Sequence, residues 1–103
     1  MANTAVELIR INGKAKSRDE AIAEAAEMLI EAGAVTSAYR DSMFARESSV
    51  STYMGNLLAI PHGTLEGGDE VLNSALAIIR YDEPIDWDGN EVRFVIGIAG
   101  KDG

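Results

Sequence analysis

The run Ser17-Arg18-Asp19-Glu20-Ala21-Ile22-Ala23-Glu24-Ala25-Ala26-Glu27-Met28-Leu29-Ile30-Glu31-Ala32-Gly33 carries the clearest local signal in this chain. Ser17 with Glu20 three residues on forms a capping box, in which each side chain satisfies a backbone N–H left open at a helix start. Ile22, Ala25, Ala26, Leu29 and Ile30 then recur at the spacing of one helical face, and Gly33 ends the pattern. The spacing predicts a helix from Arg18 to Ala32. Its other face carries Asp19, Glu20, Glu24, Glu27 and Glu31, which reads as a solvated face rather than a binding site. The acids at its start also suit the helix dipole.

Before this helix, Val6 to Asn12 is a short apolar stretch with β-branched residues, closed by Gly13, and reads as a strand. After it, Thr36 or Ser37 can cap a second helix, on which Tyr39, Met43 and Phe44 form an apolar stripe expected in the core, with Glu47 near the end. The hydroxyl-rich segment from Ser48 to Tyr53 lacks periodicity and reads as a loop or short turn. Leu57-Leu58-Ala59-Ile60, between Gly55-Asn56 and Pro61, reads as a buried strand. Glu66-Gly67-Gly68-Asp69 reads as a turn, and Ser74 to Tyr81 as another buried strand. Pro84 and Asp88-Gly89-Asn90 are turn residues, which places a hairpin-like return between Asp82 and Asn90. Val92 to Ala99 is the last strand. Helices followed by strands predict one α+β or α/β domain, a mixed β-sheet flanked by α-helices. Two helices leave one sheet face short of cover, so further helices are expected beyond Gly103.

Composition narrows the function. With 103 residues, 47% of them hydrophobic and 25% charged, the chain is that of a globular domain with a single core. Seventeen acidic residues against nine basic ones give a net charge of -8, which disfavours binding to a nucleic-acid backbone or an anionic membrane surface. The absence of cysteine excludes disulfides, thiolate zinc sites and cysteine nucleophiles. The first residues show no basic segment followed by an apolar one, and no apolar run approaches the roughly 20 residues of a spanning helix, so a cytoplasmic location is expected.

Candidate chemistry gathers at Leu58-Ala59-Ile60-Pro61-His62-Gly63-Thr64. His62, the only histidine, ends a buried strand, after a proline that restricts the backbone and before a glycine that lets a partner approach. Imidazole is nucleophilic near neutral pH, and its phosphoramidate can pass a phosphoryl group onward. A histidine that only hydrogen-bonds a turn fits the spacing as well. A metal centre would need further ligands at recognisable spacing, and none is apparent. There is no Gly-x-Ser-x-Gly elbow and no phosphate-cradling loop, so hydrolase chemistry and direct nucleotide use lack support.

Here the chain resembles a known family, the enzyme IIA domain of the bacterial sugar phosphotransferase system, of the mannitol and fructose type. The resemblance rests on Glu47, followed by Met54-Gly55 and, two residues later, by Leu58-Ala59-Ile60-Pro61-His62-Gly63, which is similar to the family's phosphorylation-site signature. Arg46-Glu47, Ser51-Thr52-Tyr53-Met54-Gly55, His62-Gly63-Thr64 and Val95-Ile96-Gly97-Ile98-Ala99 look most like the mannitol branch. The likeness extends from Ser17 to the last strand.

The resemblance implies a phosphoryl relay without a cofactor. Such a domain accepts the group from the phosphohistidine of the carrier protein HPr and gives it to a cysteine of a IIB domain, while a IIC permease imports the sugar. His62 aligns with the phosphorylated histidine. Arg46 aligns with an arginine near that site, where a guanidinium can hold phosphoryl oxygens by two hydrogen bonds; a surface ion pair is the alternative. Ser51 and Thr52 could donate to the phosphoryl group or orient the ring, or simply cap a turn. Asn56 stands where mannitol-type members can carry glutamate, and with Gly63 and Thr64 it completes the set of residues expected to contact phosphate or partner. Leu58, Ile60 and Leu65 would rim the site where HPr and IIB dock in turn. The family's second, helping histidine would fall beyond Gly103, so the resemblance implies a truncated domain whose relay is impaired. Two other readings stand beside the relay: a phosphorylation-sensing regulatory domain of a transcription factor, and a binding module in which His62 is structural.

Overall fold

The computed structural model describes residues 6–64 and 69–100. Strand β1 (Val6–Arg10) leads into helix α1 (Arg18–Glu31), which starts where the capping box predicts: the Ser17 hydroxyl accepts from the Glu20 amide. The Glu20 carboxylate reaches back to the amide of Lys16, one residue earlier than a regular box. Gly33, at φ +76°, takes the left-handed position that follows the helix.

Helix α2 (Tyr39–Ser49) begins without the expected cap, since Ala38 holds the capping position and no side chain bonds there. Thr36 is engaged elsewhere: its amide donates to the Glu70 carbonyl and its hydroxyl bonds the Glu70 carboxylate. Strand β2 (Tyr53–Gly55) and β3 (Leu58–Ala59) form a tight hairpin, followed by β4 (Ala75–Trp87) and β5 (Asn90–Ala99). The expected return between Asp82 and Asn90 is only partly right. Strand β4 runs through Pro84, and the chain turns at Asp88 and Gly89, both left-handed at φ +56° and +92°, between the paired residues Trp87 and Asn90. Pro84 is accommodated because the ladder shifts register between Arg80 and Ile85, and a bulge is where a strand tolerates a residue without an amide donor. The Arg93 guanidinium donates to the Asp82 carbonyl at 2.6 Å, satisfying a carbonyl that the bulge takes out of the ladder. Of the turn expected at Glu66–Asp69, residues 66–68 lie outside the described residues, as does Leu65.

The five strands form one mixed sheet in the order β1-β4-β5-β3-β2, with β1 parallel to β4 and β3 parallel to β5. One face carries Ala75, Ala77, Ile79, Tyr81, Val95 and Ala99, all buried against Ala21, Ile22, Ala25, Ala26 and Leu29 of α1. Gly97 belongs to this face because a methyl group there would lie 2.8 Å from the Ala25 methyl. Registered partners share a face. The pairs Ile9–Ile78, Ile78–Ile96, Leu76–Ile98, Arg80–Phe94 and Leu58–Phe94 therefore define the opposite face. Among the described residues no helix covers it, and Ile9 and Phe94 are 66% and 42% exposed. The sheet with one face short of cover is thus as expected.

The outer face of α1 is less uniformly solvated than expected. The Glu24 carboxylate accepts from the Arg10 guanidinium (2.8 Å), the Tyr81 hydroxyl (2.7 Å) and the amides of Lys14 and Ala15, fastening the β1–α1 loop to the sheet. Burial pushes its pKa up, but the donors, Arg10 first and Tyr81 next, outweigh burial and hold it below the ordinary carboxylate range. Burial and the neighbouring Glu24 raise the Tyr81 phenol correspondingly.

Candidate functional site

His62 lies just past β3, where strand alternation still governs the chain. Leu58, Ile60 and His62 are half-exposed or half-buried, while Ala59 and Pro61 between them are buried. An isolated parallel bridge pairs His62 with Ile98. Because Ile98 belongs to the face that no helix covers, the imidazole projects to that side as well. Its Nδ1 lies 2.8 Å from the Ile60 carbonyl, two residues back. A carbonyl only accepts, so Nδ1 carries a proton, and in the neutral ring Nε2 is the nitrogen that holds the lone pair.

Helix α2 holds the segment after the histidine from the other side of the sheet. The Tyr39 hydroxyl accepts from the Gly63 amide at 2.9 Å and donates to the Ile98 carbonyl at 2.8 Å. One turn on, the Ser42 hydroxyl accepts from the Thr64 amide at 2.8 Å and lies 3.1 Å from the Thr64 hydroxyl. Gly63 must be glycine for this docking, since a methyl group there would stand 2.5 Å from the Tyr39 ring and 2.8 Å from the Ser42 oxygen. Tyr39, Ser42 and Arg46 fall at i, i+3 and i+7, on one stripe of the helix. Arg46 is therefore a turn beyond the residue that grips Thr64. Its guanidinium donates to the Val50 carbonyl at 2.6 Å, at the C-terminal end of α2, and keeps further N–H groups for another acceptor.

The other expected residues divide. Thr52 is buried, and both its amide and its hydroxyl donate to the Glu47 carboxylate, at 2.9 and 2.6 Å. Its donors are committed to orienting the β2 strand, which leaves them unavailable to an outside oxyanion. Ser51 is exposed, and its hydroxyl accepts from the Tyr53 amide, as in a turn cap. Asn56 occupies the exposed tip of the β2–β3 hairpin at φ +53°, followed by Leu57 at +69°. The Leu57 carbonyl takes the amides of both Arg93 and Phe94 and so holds this strained turn on β5. Three residues were missed as site builders. Tyr39 was read only as core, Ser42 and Trp87 not at all. Glu47 was noted for its spacing, yet its buried carboxylate also accepts the Trp87 indole N–H at 3.0 Å. The stripe Tyr39-Ser42-Arg46 was the available signal, since polar atoms at helical spacing on an otherwise apolar face need partners.

Geometry and tautomer together describe an α/β domain that offers one imidazole nitrogen from the end of a strand. The chain belongs to the EIIA type-2 family of the phosphoenolpyruvate-dependent sugar phosphotransferase system, which it matches over residues 3–103. A relative from Halalkalibacterium halodurans, the mannitol-specific phosphotransferase enzyme IIA component, is 52% identical over 95 residues, covering 92% of this chain and 66% of that protein. The crystal structure of IIA mannitol from Escherichia coli superposes with a TM-score of 0.86 at 36% identity, covering 90% of this chain and 68% of that one. An Escherichia coli complex of enzyme IIA mannitol with phosphorylated enzyme IIB mannitol matches with a TM-score of 0.88 at 35% identity, covering 92% of this chain and 68% of that one. The mixed sheet flanked by helices is the fold of these structures.

Proposed function

We propose that this chain is a phosphoryl carrier for mannitol uptake, accepting the group from phospho-HPr on His62 Nε2 and passing it to a cysteine of a IIB domain. The observation that carries the reading is the Nδ1 bond to the Ile60 carbonyl, on a histidine whose strand register turns its ring to the uncovered face. In the neutral ring with its proton on Nδ1, Nε2 needs no general base, because it holds the lone pair. As the Nε2–P bond forms, the N–P bond to the donor histidine breaks and that ring keeps the electron pair. Positive charge develops on the His62 ring, and the bond from Nδ1–H to the Ile60 carbonyl strengthens with it, stabilising the state in which the group is held. The cysteine thiolate then attacks phosphorus, an S–P bond forms and the Nε2–P bond breaks. Transfer of this kind is mostly positioning and charge stabilisation.

Arg46 supplies the cation in this reading. Its place on the Tyr39–Ser42 stripe supports a guanidinium that leaves or shares the Val50 carbonyl to hold phosphoryl oxygens. Asn56, at the exposed hairpin tip, and Leu58 and Ile60, beside the histidine, belong to the surface met by HPr and IIB. Gly63 and Thr64 serve by being docked on α2, and Thr52 by anchoring β2 through Glu47. The identity to mannitol-specific relatives supports mannitol as the sugar served.

The test is incubation with phosphorylated HPr, followed by mass spectrometry under alkaline conditions that preserve phosphohistidine. One phosphoryl group is expected on His62, discharged by addition of a mannitol IIB domain and absent in His62→Ala. Label that persists in His62→Ala would sink the site.

A further inference from the structure

The bridge between His62 and Ile98 departs from a regular parallel ladder at one bond. Two bonds belong to such a bridge: the Ile98 amide to the Pro61 carbonyl, and the Gly63 amide to the Ile98 carbonyl. The first is present at 3.0 Å. At the second, the Tyr39 hydroxyl stands between the two groups, taking the Gly63 amide at 2.9 Å and giving its own proton to the Ile98 carbonyl at 2.8 Å. The ladder thus continues through a side-chain oxygen at the residue after the histidine. Tyr39 itself is 4% exposed and fixed by packing. Burial pushes its phenol up, so it remains a donor throughout the neutral range.

We propose that Tyr39 is a positioning residue for phosphoryl transfer: its hydroxyl, wedged between the Gly63 amide and the Ile98 carbonyl, sets the spacing of the His62 segment from β5 and thereby the place of Nε2. The role rests on the carrier reading given above. A purely structural tyrosine would need only its ring, which fills the space left by the missing Gly63 side chain. The hydroxyl does something different. Without it, the Gly63 amide and Ile98 carbonyl can pair directly, and the segment closes on β5 by a distance on the order of 1 Å. Such a shift leaves the backbone groups satisfied, so stability changes little, while in-line geometry at Nε2 is lost; misplacement of about that size can slow a reaction ~100-fold.

Tyr39→Phe tests this on the full chain. The expected result is a folded protein in which transfer from phospho-HPr and to IIB is slowed at least ~10-fold in kcat, with KM for phospho-HPr within about twofold. Nitrogen NMR of the His62 ring should still show the proton on Nδ1, with the Gly63 amide shifted by its new partner. A kcat within twofold of wild type in the folded variant overturns the proposal. If wild type takes no label from phospho-HPr, the carrier reading falls, and Tyr39 is judged by NMR alone: unmoved Gly63 and His62 signals in Tyr39→Phe overturn its positioning role too. If Tyr39→Phe does not fold, the Gly63 amide and Ile98 carbonyl do not satisfy one another without the hydroxyl, and the proposal falls on that result as well.

Discussion

The Trp87 indole N–H donates to the Glu47 carboxylate across 3.0 Å, tying the tip of the β4–β5 hairpin to the helix that carries Arg46. Thr52 supplies two more donors to the same carboxylate, so three donors from two residues distant in the fold converge on one buried acid.

Glu47→Gln sets an amide N–H against one of those donors while keeping the side chain's shape. The expected loss of stability is about 2 kcal/mol, the scale of a buried polar group left without its partner. Urea unfolding would measure it. Trp87 is fully buried and the only tryptophan, so its emission should shift to the red in the same variant. An unchanged midpoint and spectrum would mean that the network contributes nothing to the fold.

Acid should loosen the β1–α1 loop before the rest of the molecule. The folded pKa of Glu24 is lowered, so its contribution to stability is fully present above the unfolded value, about 4.3, and is lost as pH falls through the lower folded value. In Glu24→Gln the stability between pH 5 and pH 3 should vary less steeply than in wild type. Identical pH slopes for the two proteins would show that the clamp does not titrate with folding.

Gly97→Ala introduces a methyl 2.8 Å from the Ala25 methyl, which pushes α1 off the sheet. Overpacking of this size costs about 1–3 kcal/mol. Ala25→Gly in the same chain should return part of it, beyond the roughly 1 kcal/mol that glycine costs a helix on its own. Thermal unfolding of the four proteins in a double-mutant cycle gives the coupling, and simple additivity would contradict the contact.

Arg46 is expected to matter through its fork of N–H groups more than through its charge. Transfer rates from phospho-HPr should fall by about 10-fold in Arg46→Lys and by about 100-fold in Arg46→Ala. Stability should move by less than about 1 kcal/mol in either, from loss of the helix-end bond to Val50. Equal rates for all three would remove Arg46 from the site.

Local signals in the sequence were strong enough to place α1, the apolar strands and the histidine at a strand end. These depend on the capping of Ser17 and on apolar period, both of which act within one element. Arg46 is singled out by the family resemblance and not by spacing, and its place on one helix stripe with Tyr39 and Ser42 emerges only from the structure. Partners distant in sequence were not legible. Glu24 looks solvated on a helical wheel because its donors come from Arg10, Lys14, Ala15 and Tyr81, which no period of α1 encodes. Thr52 looked like a loop hydroxyl because the acid it serves lies on another element. Pro84 signalled a turn that the register shift beside it allows the strand to outlast.

The pairing of the histidine segment with β5 finally has a chemical meaning. Side chains alternate across a strand, so a slip of one residue would carry the imidazole to the helix-covered side and bring Pro61 to the open one. Fold and wrong fold would then differ by which face of a sheet owns a nitrogen atom. The two amides on the Leu57 carbonyl and the amide on the Pro61 carbonyl act as the alignment marks that keep the imidazole on the open face.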